Sequence, residues 1–303
     1  MENTFNIWFG QEKTFCSLSR DKIDLYLKIP ILGGQSTIHY PSQFGKVDSQ
    51  QGFHLLETDS QLIGALAQPI TYPLAEDIYK VYLSLLEVTQ GWNLCRIWNY
   101  VPYINDKTGG LENYKSFCQG RSLAFENFYG ADFRVKLPAG TGVGIADDTY
   151  GIYFIAVKEN IRNVENSEQV SAYYYPSQYG PRSPSFARGT VITPNGKRIG
   201  YLSGTASIKG HQSVGKGDIG KQFDITLDNM GLVFEGMGFN RGLPDPMVFD
   251  RAFIIYLRDP SDLPVVQQMV KNNFAVSDRL IYLHSNICRA DLDIEIEATI
   301  TEK

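Results

Sequence analysis

The order helix, strand, helix, paired strands occurs twice in this chain, and that repetition limits the fold more than any single motif does. In the first half Leu74, Ile78, Val81, Tyr82, Leu85 and Leu86 recur at helical spacing between Pro73 and Gly91, which predicts an amphipathic helix over 73–87. Residues 94–101 return to strand character and stop at Pro102, and 113–125 read as a second helix turning Tyr114, Phe117 and Leu123 inward. A closing hairpin is expected over 137–145 and 152–157, turning at Asp147-Asp148. The second half repeats the order with a helix over 219–235, a buried strand over 253–257 and a helix over 263–274. Ser261 reads as the cap of that last helix, with Pro264 in its first turn, and a short run at 280–283 leads into 287–300. Each half is therefore expected to be an α+β module, a mixed β-sheet backed by two helices. The expected domains are 1–165 and 166–303, divided in the polar stretch 160–168. Ahead of the first repeat, short apolar runs broken by Gly33-Gly34, Pro41 and Gly45 read as strands joined by loops.

Composition removes several classes of function. With 28 basic against 33 acidic residues the net charge is −5, and no Lys/Arg run exists to track a phosphate backbone, so nucleic acid is not an expected partner. No stretch of about eighteen apolar residues offers a membrane span. The opening Met1-Glu2-Asn3-Thr4 lacks the basic and apolar regions of a signal peptide, which points to a cytoplasmic protein. Cys16, Cys95, Cys118 and Cys288 are scattered without a CxxC pair, and His39, His54, His211 and His284 stand at no metal-ligand spacing. No metal site is expected. Gly142-Val143-Gly144 is too short for a dinucleotide fingerprint.

The stretch from Ile287 to Ala298, read as the last strand, holds the densest chemistry. Ile294, Ile296 and Ala298 alternate with Glu295 and Glu297, so one face is apolar and the other carries two carboxylates. Such a face is ordinarily wet, but here Cys288 and Arg289 lie just upstream. Aligned by pattern, 138–145 and 152–157 match 285–292 and 294–300, which sets Gly140 and Tyr153 where the second half has Arg289 and Glu295. Between the halves, residues 173–188 are rich in Tyr, Pro and Gly and predict a stiff, extended, aromatic loop containing Tyr175 and Tyr179. Arg188 ends that loop as either a carboxylate fork or a surface ion-pair partner. Gly204, Thr205, Ala206 and Ser207 follow a strand, where a glycine and small hydroxyl residues let backbone N–H groups approach a ligand. His211 is left as a structural histidine.

Ser203-Gly204, Gly217-Asp218-Ile219 with Gln222, and the closing Ile294-Glu295-Ile296-Glu297-Ala298 are similar to the Rid family of small α+β proteins. From Arg96 onward the chain resembles the chorismatases more closely, through Arg96-Ile97-Trp98-Asn99-Tyr100-Val101-Pro102, Gly120-Arg121, Pro138-Ala139 with Thr141-Gly142-Val143-Gly144, Tyr175-Pro176, Tyr179-Gly180-Pro181, Phe186-Ala187-Arg188 and Ser203-Gly204-Thr205-Ala206-Ser207. The resemblance implies two tandem Rid-like, chorismate-mutase-like modules, the first degenerate and the second catalytic. It implies an enzyme that removes pyruvate from chorismate without metal or organic cofactor. Chorismate carries two carboxylates, for which Arg188 and Arg289 would be the cationic partners, and an enol ether cleaved after its methylene carbon is protonated. Glu295 is then the acid, since burial raises a carboxyl pKa toward neutral pH.

The family divides by ring product. Members giving 3-hydroxybenzoate resemble this chain in a cysteine seven residues before the acid, here Cys288, so 3-hydroxybenzoate is the favoured product. A hydrolytic product, a dihydroxy-cyclohexadiene carboxylate, and a mixed 3- and 4-hydroxybenzoate outcome stay open, as does Cys288 as a small buried filler. Outside the family, a Rid-like enamine deaminase and a non-catalytic metabolite-binding module are the competing readings. Homotrimer and monomer are both open.

Overall fold

The computed structural model describes residues 3–42 and 45–303. The chain opens with β1 (Asn3–Trp8), β2 (Phe15–Leu18), β3 (Lys22–Tyr26), β4 (Ile31–Gly34) and β5 (Thr37–Ser42). Four of these form one sheet in the order β2-β3-β1-β5, and β4 leaves it to join another. The first repeat runs β6 (Lys46–Gln50), β7 (Phe53–Glu57), β8 (Gln61–Pro69), α1 (Ala75–Val88), β9 (Asn93–Pro102), the short strands β10 (Lys107–Thr108) and β11 (Leu111–Glu112), α2 (Asn113–Tyr129), β12 (Ala139–Ile145) and β13 (Thr149–Val157). The second runs β14 (Arg162–Val164), β15 (Gly189–Ile192), β16 (Ile199–Ala206), the short β17 (Ile208–Lys209) and β18 (Gln212–Ser213), α3 (Ile219–Gly236), β19 (Phe249–Leu257), α4 (Leu263–Asn273), β20 (Arg279–His284) and β21 (Ile294–Glu302).

The first sheet has the order β12-β9-β13-β8-β7-β6; the second has β20-β19-β21-β16-β15-β14, with β4 added outside β20. Strand for strand the two orders are the same, so the duplication extends from element order to topology. In each, the last strand is central and lies antiparallel to both neighbours, while the strand after the second helix lies parallel to the strand before it. The fold is thus α+β, with a mixed sheet and two helices in each half. No helix among the described residues is long and apolar enough to cross a membrane.

Topology corrects three expectations. Residues 137–145 and 152–157 do not form a hairpin, because β9 inserts between β12 and β13 and pairs with both. By position, β12 corresponds to β20, not to residues 285–292. The last strand begins at Ile294, and 285–293 is an irregular loop, so Cys288 and Arg289 approach Glu295 from a turn and not along one strand. Asp259, not Ser261, supplies the capping carboxylate ahead of α4, accepting the Ser261 N–H at 2.8 Å. The tyrosine-rich loop also contains two short 3₁₀ turns, Ala172–Tyr174 and Ser177–Tyr179.

Burial explains why the Glu295 and Glu297 face is not wet. Ile294, Ile296, Ala298 and Ile300 of β21 pack on Phe223, Met230 and Val233 of α3 and on Val266 and Val270 of α4. The opposite face looks into a core shared by all three sheets, where Phe5 and Leu25 meet Trp98, Tyr100 and Tyr153, and Tyr256 and Leu283 close the other side. A central strand between two packed layers is covered on both faces whatever its alternation. Both carboxylates are about 3% exposed.

Candidate active site

The second half's sheet is irregular at one point, and the irregularity shapes the site. β16 pairs with β21 through Leu202–Ala298 and then Thr205–Ile296, so one extra residue bulges out at Ser203-Gly204. The bulge turns its backbone toward β12 of the first half. Gly140 N–H donates to Ser203 Oγ at 2.8 Å, Ser203 Oγ donates to Ala187 O at 2.6 Å, and Gly204 N–H donates to Thr141 Oγ1 at 2.9 Å. Gly204 also lies directly against the Glu295 carboxyl: a Cβ there would stand 1.9 Å from Glu295 Oε1. Only glycine leaves room for the acid.

Glu295 and Glu297 point the same way from β21 into different surroundings. Glu297 accepts hydrogen bonds from Trp98 Nε1 at 2.7 Å, from Arg96 Nη2 at 2.8 Å and from the Thr141 hydroxyl. Burial pushes its carboxyl up while Arg96, Thr141 and Trp98 pull it back down; each of these three contacts donates, so the arrangement suits the anion. Glu295 has no hydrogen-bond partner within the protein among the described residues. Burial first, then the charge of Glu297, pushes its carboxyl up to about 8, against the opposing pull of Arg96 and Arg188. Of the two carboxyls on this strand face, Glu297 is surrounded by donors and Glu295 is not, so Glu295 is the one held as a neutral acid at pH 7.

The acid faces a cavity of about 410 Å³ lined by both halves. Arg188 is 6% exposed; its Nη2 donates to the Tyr175 hydroxyl at 2.7 Å, and its Nε has no partner among the described residues. Arg289 donates from Nη1 to His211 O at 2.9 Å and to Ser213 Oγ at 3.2 Å, with its guanidinium 4.1 Å from the centre of the Tyr179 ring. Among the described residues neither arginine makes a hydrogen bond to a carboxylate, so both remain available to an anionic ligand. Tyr179 bonds His211 Nδ1 at 3.1 Å, which ties the loop to the turn after β17. Cys288 also lines the cavity; burial, reinforced by Glu295, pushes its thiol up to about 12, so it is a neutral thiol and not a nucleophilic thiolate at pH 7.

The sequence-derived site residues Glu295, Cys288, Arg188, Arg289, Tyr175, Tyr179, Gly204 and Ala206 all line this cavity. Thr205 and Ser207 do not. Their hydroxyls donate to Ser203 O and to Val214 O at 2.8 and 2.7 Å, so they hold the strand end and not a ligand. The sequence reading missed Glu112, Tyr114 and Lys115, which the start of α2 brings to the opposite wall, and Phe186 beside Arg188. Tyr114 was assigned to a helix core, and nothing in its spacing distinguishes a core contact from a cavity wall. Phe186 stood within the recognised loop, and its proximity to Arg188 was the available signal.

Comparison with known proteins bears on the family and the fold. A family model described as Chorismatase FkbO/Hyg5-like, N-terminal matches residues 42–156. The chain is 33% identical over 247 residues to a 3-hydroxybenzoate synthase of Streptomyces hygroscopicus, covering 77% of this chain and 71% of the relative. It is 33% identical over 258 residues to a chorismatase of the same organism, covering 82% and 74% respectively. A chorismatase crystal structure superposes with a TM-score of 0.87 at 29% identity, covering 98% of this chain and 92% of that one.

Proposed function

This chain belongs to the chorismatase family, and on that premise we propose that it converts chorismate to 3-hydroxybenzoate and pyruvate. The observation that carries the reading is the Glu295 carboxyl, raised to about 8 by burial and without a hydrogen-bond partner among the described residues, facing a cavity with two arginines. Protonating the methylene carbon of an enol ether needs a neutral acid close to an apolar carbon, and Glu295 meets that need at pH 7. Arg188 and Arg289 are the partners proposed for the substrate's two carboxylates. Because Arg289 is stacked on Tyr179 and Arg188 is bonded to Tyr175, each guanidinium is oriented before substrate arrives.

Proton transfer leaves Glu295 as an anion beside an oxocarbenium centre, with Arg96 and Arg188 favouring the new charge. Capture of that centre by the neighbouring ring hydroxyl, collapse with cleavage of one ring C–O bond, and aromatisation by loss of a ring proton, which replaces the one Glu295 gave, yield pyruvate and 3-hydroxybenzoate, whose atoms together equal those of chorismate. Capture by water gives pyruvate and the dihydroxy-cyclohexadiene carboxylate. The neutral Cys288 thiol, which lines the same cavity as Arg289 and Glu295, is the proposed bias toward the first outcome. The test is incubation of the protein with chorismate and separation of products by chromatography with mass detection. Pyruvate with 3-hydroxybenzoate is expected; pyruvate with the diol would keep the substrate and overturn the product, and no pyruvate from folded protein would overturn the reading.

A further inference from the structure

Glu297 belongs to no part of the proposed chemistry, yet it is the best-satisfied buried carboxylate near the site. Its hydrogen bonds come from Arg96 and Trp98 of β9 and Thr141 of β12, all in the first half. Beyond it lies a second cavity of about 350 Å³, bordered by Arg96, Trp98, Tyr153 and Glu297 itself. The carboxylate is held in place by its three donors. Thr141 Oγ1 also accepts from Gly204 N–H at 2.9 Å. A hydroxyl that accepts from a backbone N–H still has one proton to give, and Glu297 takes it, which fixes the direction of the whole chain.

We propose that Glu297 is a positioning residue for the acid: clamped by Arg96 and Trp98, it orients the Thr141 hydroxyl, and Thr141 holds the Gly204 backbone against which the Glu295 carboxyl rests. The inference rests on the reading of Glu295 as proton donor. It assigns the first half of the chain a task in the second half's chemistry, carried by hydrogen bonds and not by contact with substrate. The charge of Glu297, two residues along the strand, acts to raise the Glu295 carboxyl. Around Glu295 the other titratable or charged groups are Arg96 from β9, Tyr256 from β19, Arg188 ahead of β15, and Cys288, Arg289 and Asp291 from the preceding loop, with Tyr175 and Tyr179 of the aromatic loop and Glu112, Tyr114 and Lys115 across the cavity. Removing the charge of Glu297 leaves Arg96 unpaired, and both changes favour ionisation of Glu295, so its titration moves to lower pH.

The experiment compares Glu297→Gln, Thr141→Val and Thr141→Ser with the parent chain. One readout is the infrared carboxylic-acid band of Glu295, assigned by its loss in Glu295→Gln and followed against pH. The other is kcat and KM for pyruvate release from chorismate. For Glu297→Gln the band is expected to titrate about one pH unit lower or more, with kcat down about a hundredfold and KM little changed. Thr141→Val is expected to lower kcat in the same way, and Thr141→Ser, which keeps the hydroxyl, to restore it. Parent-like kcat and titration in Glu297→Gln overturn the proposal. So do equal effects of Thr141→Val and Thr141→Ser, a comparison that decides the matter even where Glu297→Gln does not fold. Absence of pyruvate release from the parent chain removes the proposed function alone, because the infrared titration reports on Glu295 without turnover.

Discussion

Arg96 and Glu297 form an ion pair at 2.8 Å, with their side chains 1% and 4% exposed, across 201 residues of sequence and between the two halves of the fold. Desolvation of two charges offsets much of their attraction, so the pair does not of itself stabilise the fold strongly. Breaking it is another matter.

Arg96→Met would leave a buried carboxylate without its cation. A loss of about 3–5 kcal/mol in unfolding free energy is expected from urea titration, and pairing it with Glu297→Leu should recover most of that loss. A single-variant change below about 1 kcal/mol would mean the pair is solvated like a surface bridge.

Turnover should depend on pH with one alkaline limb. The acid is competent while protonated, so kcat is expected to hold below about 8 and fall as pH rises through it. Glu295→Gln keeps the shape of the side chain but has no acidic proton, and should lose about 10²- to 10⁴-fold in pyruvate release with chorismate binding retained. Substantial turnover in that variant, or a flat profile to higher pH in the parent, contradicts the assignment.

Gly204→Ala tests the bulge. The added methyl would meet Glu295 Oε1 at 1.9 Å, so the carboxyl must swing away from its seat. Circular dichroism is expected to show a folded protein, with kcat reduced about a hundredfold; an unchanged kcat would show that the position of Glu295 against Gly204 is immaterial.

The arginines should act on affinity. Arg188→Ala and Arg289→Ala each remove a charge-assisted contact worth about 1.5–3 kcal/mol, which calorimetry with a non-reacting dicarboxylate would read as weaker binding. Lysine at 289 is not expected to restore it, because stacking on Tyr179 uses the planar guanidinium.

For Cys288→Ala the ratio of ring products is expected to move toward the diol while total pyruvate release changes little. With a thiol that stays protonated up to about 12, an effect on pyruvate release itself would have to come from altered packing.

Much of this was readable from residues alone, for reasons that can be stated. Helical periodicity placed all four helices, and the repeated element order carried the duplication. Hairpins were misassigned because adjacency in sequence says nothing about a third strand, β9, entering between two neighbours. Glu295 and Arg188 were found through side-chain chemistry that stands out in a strand or a loop. Tyr114 and Lys115 were not, since each depends on what the other half of the chain brings near it, and no local pattern encodes a neighbour that distant in sequence. Thr205 and Ser207 were overcalled for the converse reason: hydroxyls close to a ligand-lining glycine look alike in sequence whether they face the cavity or the backbone.

β4 gives the architecture a temporal side. Residues 31–34 are made early, yet their ladder partner is β20, at 279–284. Until that strand emerges from the ribosome, β4 is an unmatched ribbon, and the sheet bearing the acid cannot finish its edge. Long-separation pairings of this kind slow folding and delay completion to the end of synthesis. Completion of the second half is thereby tied to residues laid down before either repeat begins.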